Sequence, residues 1–325
     1  REGMVEPSFF SEMLGLQGRM DYLQLDFRVL LEQKSGKGDF PCGDFSVPRY
    51  KEEHYVQLLL YMLLIRYNYR GIYEQNNREL HAFLLYSKYR SSLLGLGFAP
   101  ELVFRAMKLR NGLAAQELRM AQEGAYKQVL GALTPEAMNL KNVTNALWKR
   151  YQYSQIAELL APIHAASELE REYYYRFLTF ISNEHLLSKL GNKTKESSGF
   201  AATWHDSLEV KRQAGNIYDN LTLVSPDGDS KGMIERVRLE FSENVDNDMA
   251  NFRMGDIVIL YPYAPGSEPD ARRTMVFRCT IEDIQTDTVT LVLRAAQSDG
   301  RVFLWYSGMK WAMEHDFMEA SYSSL

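Results

Sequence analysis

Residues 18–34 read GRMDYLQLDFRVLLEQK and residues 57–61 read QLLLY, and these two stretches decide the fold. The first stretch holds a glycine and an aspartate three positions apart, followed by a glutamate and a lysine two positions apart. Its apolar residues on either side of Asp26-Phe27-Arg28 predict a β-hairpin over residues 21 to 34, with Gly18 to Asp21 opening the first strand. The second stretch lies within residues 52 to 68, where apolar residues recur at helical spacing and predict a helix.

Asp21 and Glu32 are the carboxylates that this hairpin would bring together from adjacent strands. Successive side chains of a strand alternate between its faces, so Glu32 and Lys34 share a face while Gln33 points away. Two carboxylates and the backbone carbonyl of Gln33 suffice for Mg²⁺ or Mn²⁺, because such hard cations prefer oxygen ligands and Mg²⁺ keeps several waters. Lys34 could hold the attacking water or the phosphate and would reduce repulsion between the carboxylates. The pattern predicts catalytic Asp21, Glu32 and Lys34, and metal ligands Asp21, Glu32 and Gln33.

The predicted helix places Gln57 and Tyr61 one turn apart on one face. We expect this face to address the metal centre or a bound strand, and we take Gln57, Tyr61 and Arg66 as substrate-binding residues. His54, three positions before Gln57, is a further candidate for a substrate contact. Each motif alone is common on solvated surfaces, and only their order on a hairpin and then a helix is specific.

In this order the motifs resemble those of the PD-(D/E)XK nucleases of the RecB type. Residues 14–21, LGLQGRMD, are especially similar to the nuclease domain of the Dna-two-type superfamily 1 helicase–nucleases, which act in Okazaki-fragment processing and end resection. The resemblance implies that Asp21 and Glu32 bind metal and that Lys34 assists catalysis. It also implies that Gln57 and Tyr61 support the site and contact DNA.

The rest of the chain follows the domain order of that family. We expect an α/β nuclease core of the restriction-endonuclease-like type, a helical stalk and a small β-barrel, followed by the start of a helicase domain. The expected bounds are 1–112 for an N-terminally cropped nuclease domain, 113–206 for the stalk, 207–304 for the barrel and 305–325 for a helix leading into the helicase. Five candidate strands separated by turn residues predict the barrel; they are residues 220–224, 234–241, 256–261, 275–281 and 288–294.

Two departures from the family pattern concern metal. The family usually has an upstream helix whose His or Glu adds a ligand, whereas only 20 residues precede Asp21 and Glu6 and Glu12 are the candidates among them. Many relatives hold an iron–sulfur cluster on four cysteines. This chain has only Cys42 and Cys279, so we expect no such cluster within it.

Composition and charge limit the remaining possibilities. The chain of 325 residues is 46% hydrophobic with a net charge of −5, yet residues 49 to 110 carry ten Lys or Arg against five Asp or Glu. Phosphate binding needs such local positive charge, and the tyrosines interleaved with it could stack on single-stranded bases; the alternative is a solvated face with core tyrosines. The sequence contains no apolar run of about 18 residues, so it predicts no membrane-spanning helix. Its two cysteines fit a reducing cytoplasm.

These observations predict a Mg²⁺- or Mn²⁺-dependent deoxyribonuclease module that cleaves single-stranded or flap DNA in replication and repair. The sequence has no Gly-x-x-x-x-Gly-Lys-Ser/Thr motif, so ATP hydrolysis is expected from a helicase domain of the same polypeptide. Two alternatives stay open. One is a catalytically inactive nuclease fold that only grips DNA, and the other is a structural adaptor whose stalk and barrel dock a partner.

Overall fold

The computed structural model describes residues 2–39, 48–76, 79–191, 199–228, 232–242 and 250–316. The chain forms two compact units. The first contains the described residues up to 107 together with residues 201 to 316, and the second contains the described residues from 108 to 200.

The N-terminal part of the first unit is a mixed β-sheet with a helical crossover. Its elements are β1 (Gly3–Val5), β2 (Ser8–Ser11), β3 (Leu16–Arg19), β4 (Tyr22–Gln24), β5 (Val29–Lys34), α1 (Glu52–Asn68), α2 (Arg70–Asn76), β6 (His81–Tyr86), β7 (Leu93–Leu96) and α3 (Pro100–Met120). Within the described ranges the sheet order is β1-β4-β5-β6-β7, and β2 pairs with β3 in a separate hairpin. β5 and β6 run parallel, and α1 lies in the crossover connection that a parallel pair requires.

The predicted hairpin is confirmed as β4 and β5, in which Tyr22 lies opposite Leu31. Its turn contains Phe27 at a φ of 60°, whose N–H donates to the carbonyl of Gln24. The expected strand from Gly18 to Asp21 is wrong, because Gly18 belongs to β3 and pairs with Phe9 of β2. Asp21 instead follows β3 and directly precedes β4.

The helix predicted over residues 52 to 68 is confirmed as α1, with the same bounds. Its apolar face, including Leu58, Leu59 and Met62, is buried in a core that also contains Leu30 of β5 and Leu84 of β6. Burial of each such side chain stabilises the fold by roughly 1.5–3 kcal/mol. This packing fixes the axial rotation of α1 and therefore the direction of its polar side chains.

The C-terminal part of the first unit is a closed β-barrel. Its elements are α8 (Ala202–His205), α9 (Leu208–Gln213), β8 (Ile217–Gly228), β9 (Ile234–Glu240), β10 (Ile257–Tyr263), a 3₁₀ turn (Ala271–Arg273), β11 (Phe277–Ile284), β12 (Thr288–Gln297), α10 (Arg301–Trp305) and β13 (Lys310–His315). In the part of the chain that the structure describes, six antiparallel strands close in the order β10-β11-β12-β9-β8-β13. The five candidate strands are therefore confirmed as β8 to β12.

The helix expected over residues 305–325 is wrong for residues 310 to 315, which form β13. This strand pairs with both β10 and β8, so it closes the barrel and belongs to it rather than to a following helicase segment. Trp311 and Met313 of β13 are buried in the core. Residues 317 to 325 lie outside the described residues.

The barrel also covers the open edge of the sheet. The side-chain amide of Gln297 in β12 donates to the carbonyl of Val5 in β1 and accepts from the N–H of Val5, at 2.8 and 3.0 Å. An uncovered sheet edge presents unpaired backbone groups, and Gln297 supplies partners for two of them. The N–H of Val276 also donates to the carbonyl of Ser8 in β2, which belongs to the separate hairpin.

The second unit is helical, as predicted for this part of the chain. Besides the end of α3, its helices are α4 (Ala125–Gly131), α5 (Pro135–Met138), a π-helical turn (Trp148–Gln152), α6 (Tyr153–Ala165) and α7 (Glu168–Leu190). Two helix ends have typical caps: Thr134 accepts from the N–H of Ala137 ahead of Pro135, and α7 ends at Gly191, whose φ is 77°. In the last part of the expected stalk, residues 192 to 198 lie outside the described residues and α8 occupies Ala202–His205. Among the described helices, none is long and apolar enough to cross a membrane.

Candidate functional site

A chain of hydrogen bonds joins β5, α1 and β3. The Lys34 ammonium donates to Glu32 Oε1 and to Gln57 Oε1, both at 2.8 Å. Gln57 Nε2 donates to the Tyr61 hydroxyl at 2.8 Å, and this hydroxyl donates to the carbonyl of Arg19 at 2.8 Å. The structure therefore brings together Glu32, Lys34, Gln57 and Tyr61 in one cluster, which we call the hairpin cluster.

Glu32 is the buried member of the hairpin cluster. It is only 3% exposed, and its Oε2 has no hydrogen-bond partner in the part of the chain that the structure describes. Burial raises the pKa of the Glu32 carboxyl above its ordinary value, and the negative charge of Asp21 raises it further. The hydrogen bond and positive charge of Lys34 act in the opposite direction, as does, to the smallest extent, the nearby backbone N–H of Asp21. Glu32 is thus a carboxyl with one occupied and one unoccupied oxygen, close enough to Asp21 for their charges to interact.

Asp21 is held in place across the hairpin. Its Oδ2 accepts from the backbone N–H of Gln33 at 2.6 Å, and its carbonyl accepts from the N–H of Glu6 at 3.1 Å. The carboxylate of Asp21 therefore lies beside the end of β5, the strand that carries Glu32. The alternation of side chains along β5 is also as predicted, with Glu32 buried and Gln33 exposed.

Gly18 makes room for the hairpin cluster. A Cβ atom at this position would lie 2.8 Å from Tyr61 Cε1 and 3.0 Å from Leu64 Cδ1. A side chain here would displace Tyr61 from the carbonyl of Arg19. The glycine of the Gly-x-x-Asp motif thus has a packing reason that the sequence alone does not reveal.

His54 lies beside the hairpin cluster and bonds to a residue that sequence reasoning missed. Its Nδ1 is 2.8 Å from the hydroxyl of Tyr86 at the end of β6, and this hydroxyl accepts from the N–H of Lys51 at 3.0 Å. Burial and, second, the positive charge of Lys34 lower the pKa of the His54 imidazole. Tyr86 is 32 positions away from His54, so no local pattern could have indicated the pair.

The side chains of three other candidates are engaged in other contacts. The Arg66 guanidinium stacks over the ring of Phe98, 4.8 Å from its centroid, because five residues after Tyr61 a helix has turned by about 140°. Arg66 is therefore not part of the hairpin cluster, and its role in substrate binding stays a prediction. Glu12 pairs with Arg272 of the barrel region at 3.0 Å, and Glu6 pairs with Arg19 at 3.2 Å.

Few protein ligands are available for a metal ion at this site. Within the described ranges, no group of three or more His, Cys, Asp or Glu side chains is arranged to hold a metal ion. Asp21, Glu32 and the Gln33 carbonyl would leave the remaining positions to water, which suits Mg²⁺. As for the cysteines, Cys279 is buried and free, and Cys42 lies outside the described residues.

No family model matches this chain, and no curated protein matches it significantly.

Proposed function

We propose that this chain is the nuclease module of a helicase–nuclease and that it hydrolyses single-stranded or flap DNA with Mg²⁺ or Mn²⁺. The observation that carries the proposal is Glu32 Oε2, a buried carboxylate oxygen that has no hydrogen-bond partner among the described residues and lies near Asp21 and Lys34. The resemblance in the order of the motifs supports the same conclusion.

The cost of burying such an oxygen favours a cation as its partner. A buried polar atom without a hydrogen bond costs about 1–3 kcal/mol, and more when it is charged. Lys34 satisfies only Oε1 of Glu32. A divalent ion bound by Asp21, Glu32 and the Gln33 carbonyl would satisfy Oε2, and when bound it would activate water and neutralise phosphate charge. The residues present therefore fit the ion.

Among the described residues, Lys34 keeps one donor that the substrate could use. An ammonium group has three N–H donors, and two of them serve Glu32 and Gln57. The third can bind the attacking water or a phosphate oxygen. Gln57 and Tyr61 then act as positioning residues, because they hold the ammonium through a hydrogen-bond chain that ends on the backbone of Arg19.

The test is cleavage of fluorescently labelled single-stranded and flap DNA by the purified protein in Mn²⁺, Mg²⁺ or EDTA. We expect cleavage with either metal and none in EDTA. Asp21→Asn and Lys34→Ala should each lower the rate about a thousandfold, equivalent to about 4 kcal/mol of transition-state stabilisation. Asp26→Asn, in the turn of the same hairpin, is the matched control and should keep the wild-type rate. Circular dichroism checks folding of each variant.

Two outcomes would overturn the proposal. Wild-type protein that binds single-stranded DNA but does not cleave it with Mn²⁺ would be an inactive DNA-gripping module. Protein that neither binds nor cleaves would favour the adaptor, and capture of the same partner from lysate with and without nuclease treatment would then exclude association through DNA.

A further inference from the structure

The hydroxyl of Tyr86 fixes the proton positions on His54. Tyr86 is fully buried, and its hydroxyl oxygen accepts from the N–H of Lys51. The hydroxyl proton needs an acceptor of its own because buried polar groups are rarely left unpaired. Among the described residues, the acceptor within hydrogen-bonding distance is His54 Nδ1, at 2.8 Å. Nδ1 is therefore unprotonated.

A neutral imidazole with an unprotonated Nδ1 carries its proton on Nε2. The imidazole is neutral because its surroundings lower its pKa. Burial is the largest cause and the positive charge of Lys34 is the second. The other charges that act on it are Glu53, Lys51 and Asp39, of which the two acids oppose this effect and Lys51 adds to it. His54 thus presents one donor, Nε2–H, within the range of the Lys34 charge.

This arrangement excludes one role and supports another. A histidine ligates metal through an unprotonated ring nitrogen, and here Nδ1 is taken by Tyr86 while Nε2 carries the proton. His54 is thus unsuited to supply the metal ligand that the family usually has upstream. A neutral N–H donor beside an ammonium instead suits a phosphate oxygen, since it adds a directed hydrogen bond where Lys34 adds charge.

We propose that His54 is a strand-binding residue, whose Nε2–H, oriented by Tyr86, donates to a phosphate oxygen of single-stranded DNA next to Lys34. The proposal rests on the proposed function, because it assumes that the strand passes the hairpin cluster. It adds a residue outside the three motifs and assigns Tyr86 as the positioning residue behind it.

The first measurement is independent of cleavage. The ¹⁵N shifts of the His54 ring in the free protein should report the Nε2–H tautomer at pH 7. The second is the affinity for a labelled single-stranded oligodeoxynucleotide in EDTA, measured by fluorescence anisotropy. His54→Asn, whose amide cannot reach the position of Nε2, should weaken binding about tenfold, the loss of one hydrogen bond to a charged group. His54→Gln, whose amide can, should bind within about threefold of wild type.

Salt dependence separates a neutral donor from a cation. Loss of one phosphate-neutralising charge lowers the slope of log affinity against log salt by about 0.7 for a single strand. Lys34→Ala should show this change and His54→Asn should not. Tyr86→Phe should allow both tautomers of His54 and should weaken DNA binding, as His54→Asn does. His81→Asn, an exposed histidine of β6, is the matched control and should bind as wild type.

An Nδ1–H tautomer, or wild-type affinity in His54→Asn, would overturn the inference while leaving the proposed function intact if Asp21→Asn still abolishes cleavage. If Asp21→Asn cleaves normally and His54→Asn weakens binding with an unchanged salt slope, the proposed function fails and the inference stands. Absence of DNA binding by the wild-type protein would overturn both.

Discussion

Two clusters of the first unit, each with a buried glutamate, contain the same three residue types. The hairpin cluster has Glu32, Lys34 and Tyr61; the barrel has Lys211, Tyr261 and Glu314, which we call the barrel cluster. In the barrel cluster, Lys211 Nζ lies 3.0 Å from each oxygen of Glu314 and donates to the carbonyl of Thr203 at 2.9 Å. The Tyr261 hydroxyl donates to Glu314 Oε1.

The clusters differ in how completely their polar atoms are paired. Both oxygens of Glu314 have partners and all three N–H groups of Lys211 can be used. Among the described residues, Glu32 Oε2 has no partner and one N–H of the Lys34 ammonium is unused. Burial raises the pKa of both carboxyls, so the direction of the pKa does not distinguish them. The number of unused hydrogen-bonding groups does distinguish the two clusters. It indicates that the barrel cluster has a structural role and that the hairpin cluster has groups available to bind a ligand.

The largest effect should come from breaking the barrel cluster. Glu314→Ala leaves Lys211, which is 4% exposed, as a buried charge without its carboxylate. Removing one partner of a buried ion pair costs about 3–5 kcal/mol. We expect the free energy of unfolding to fall by this amount in urea denaturation.

The control for this variant is Glu282→Ala. Glu282 pairs with Arg236 at 2.9 Å on the barrel surface, and both side chains are well exposed. Such pairs contribute about 0–1 kcal/mol. If Glu314→Ala lost no more stability than Glu282→Ala, the barrel cluster would not have the structural role that the comparison assigns to it.

The second effect should appear only in the hairpin cluster. A metal ion that binds the folded protein and not the unfolded chain stabilises it by about 2.7 kcal/mol at a hundred times its dissociation constant. Mn²⁺ should therefore raise the melting temperature of the wild type and not that of Glu32→Gln, which puts an amide nitrogen or a neutral oxygen in place of Oε2. An equal rise in both proteins would place the ion elsewhere.

Local periodicity explains which parts of the hairpin cluster the sequence could predict. Strand alternation puts Glu32 and Lys34 on one face of β5, and helical spacing puts Gln57 and Tyr61 on one face of α1. The packing of α1 then faces the two pairs toward each other. Their meeting could be expected from the motif order, but the hydrogen bond from Lys34 to Gln57 and the unpaired Glu32 Oε2 depend on three-dimensional packing.

Features that depend on distant residues could not be predicted. The partners His54 and Tyr86 lie 32 positions apart, and Lys211 and Glu314 lie 103 apart. The sequence of β13 does not predict a strand, because four consecutive buried residues, Trp311 to Glu314, show no strand alternation. Short runs buried on both faces do not distinguish a strand from a helix. The charge of Arg66 favours a phosphate contact, although its position on α1 turns it away from Tyr61.

The third effect tests the positioning part of the hairpin cluster. Tyr61→Phe removes one hydrogen bond to the carbonyl of Arg19 and one from Gln57, each contributing about 0.5–1.5 kcal/mol. We expect a loss of about 1–3 kcal/mol in the free energy of unfolding, together with a lower kcat at an unchanged KM, because Lys34 loses its support and not its charge. A variant with wild-type kcat would show that the hydrogen-bond chain does not position Lys34.

The smallest effect concerns a histidine beside each cluster, His54 next to Lys34 and His315 next to Glu314. Burial is the first cause that lowers the pKa of each below its ordinary value of 6.5, and Lys34 contributes for His54 alone. A lowered imidazole pKa adds stability that is fully present above pH 6.5 and is lost as the pH falls from 6.5 through the folded pKa.

Between pH 7 and 5 the wild type should therefore lose stability faster than His54→Gln or His315→Gln, by at most about 1.4 kcal/mol per pH unit for each group. Urea denaturation in EDTA at several pH values measures these slopes. In a Lys34→Met background the slope removed by His54→Gln should shrink, since one of its causes is gone, while that removed by His315→Gln should stay the same. If Lys34→Met changed neither slope, the charge of Lys34 would not reach His54, and the two regions would respond to pH through burial alone.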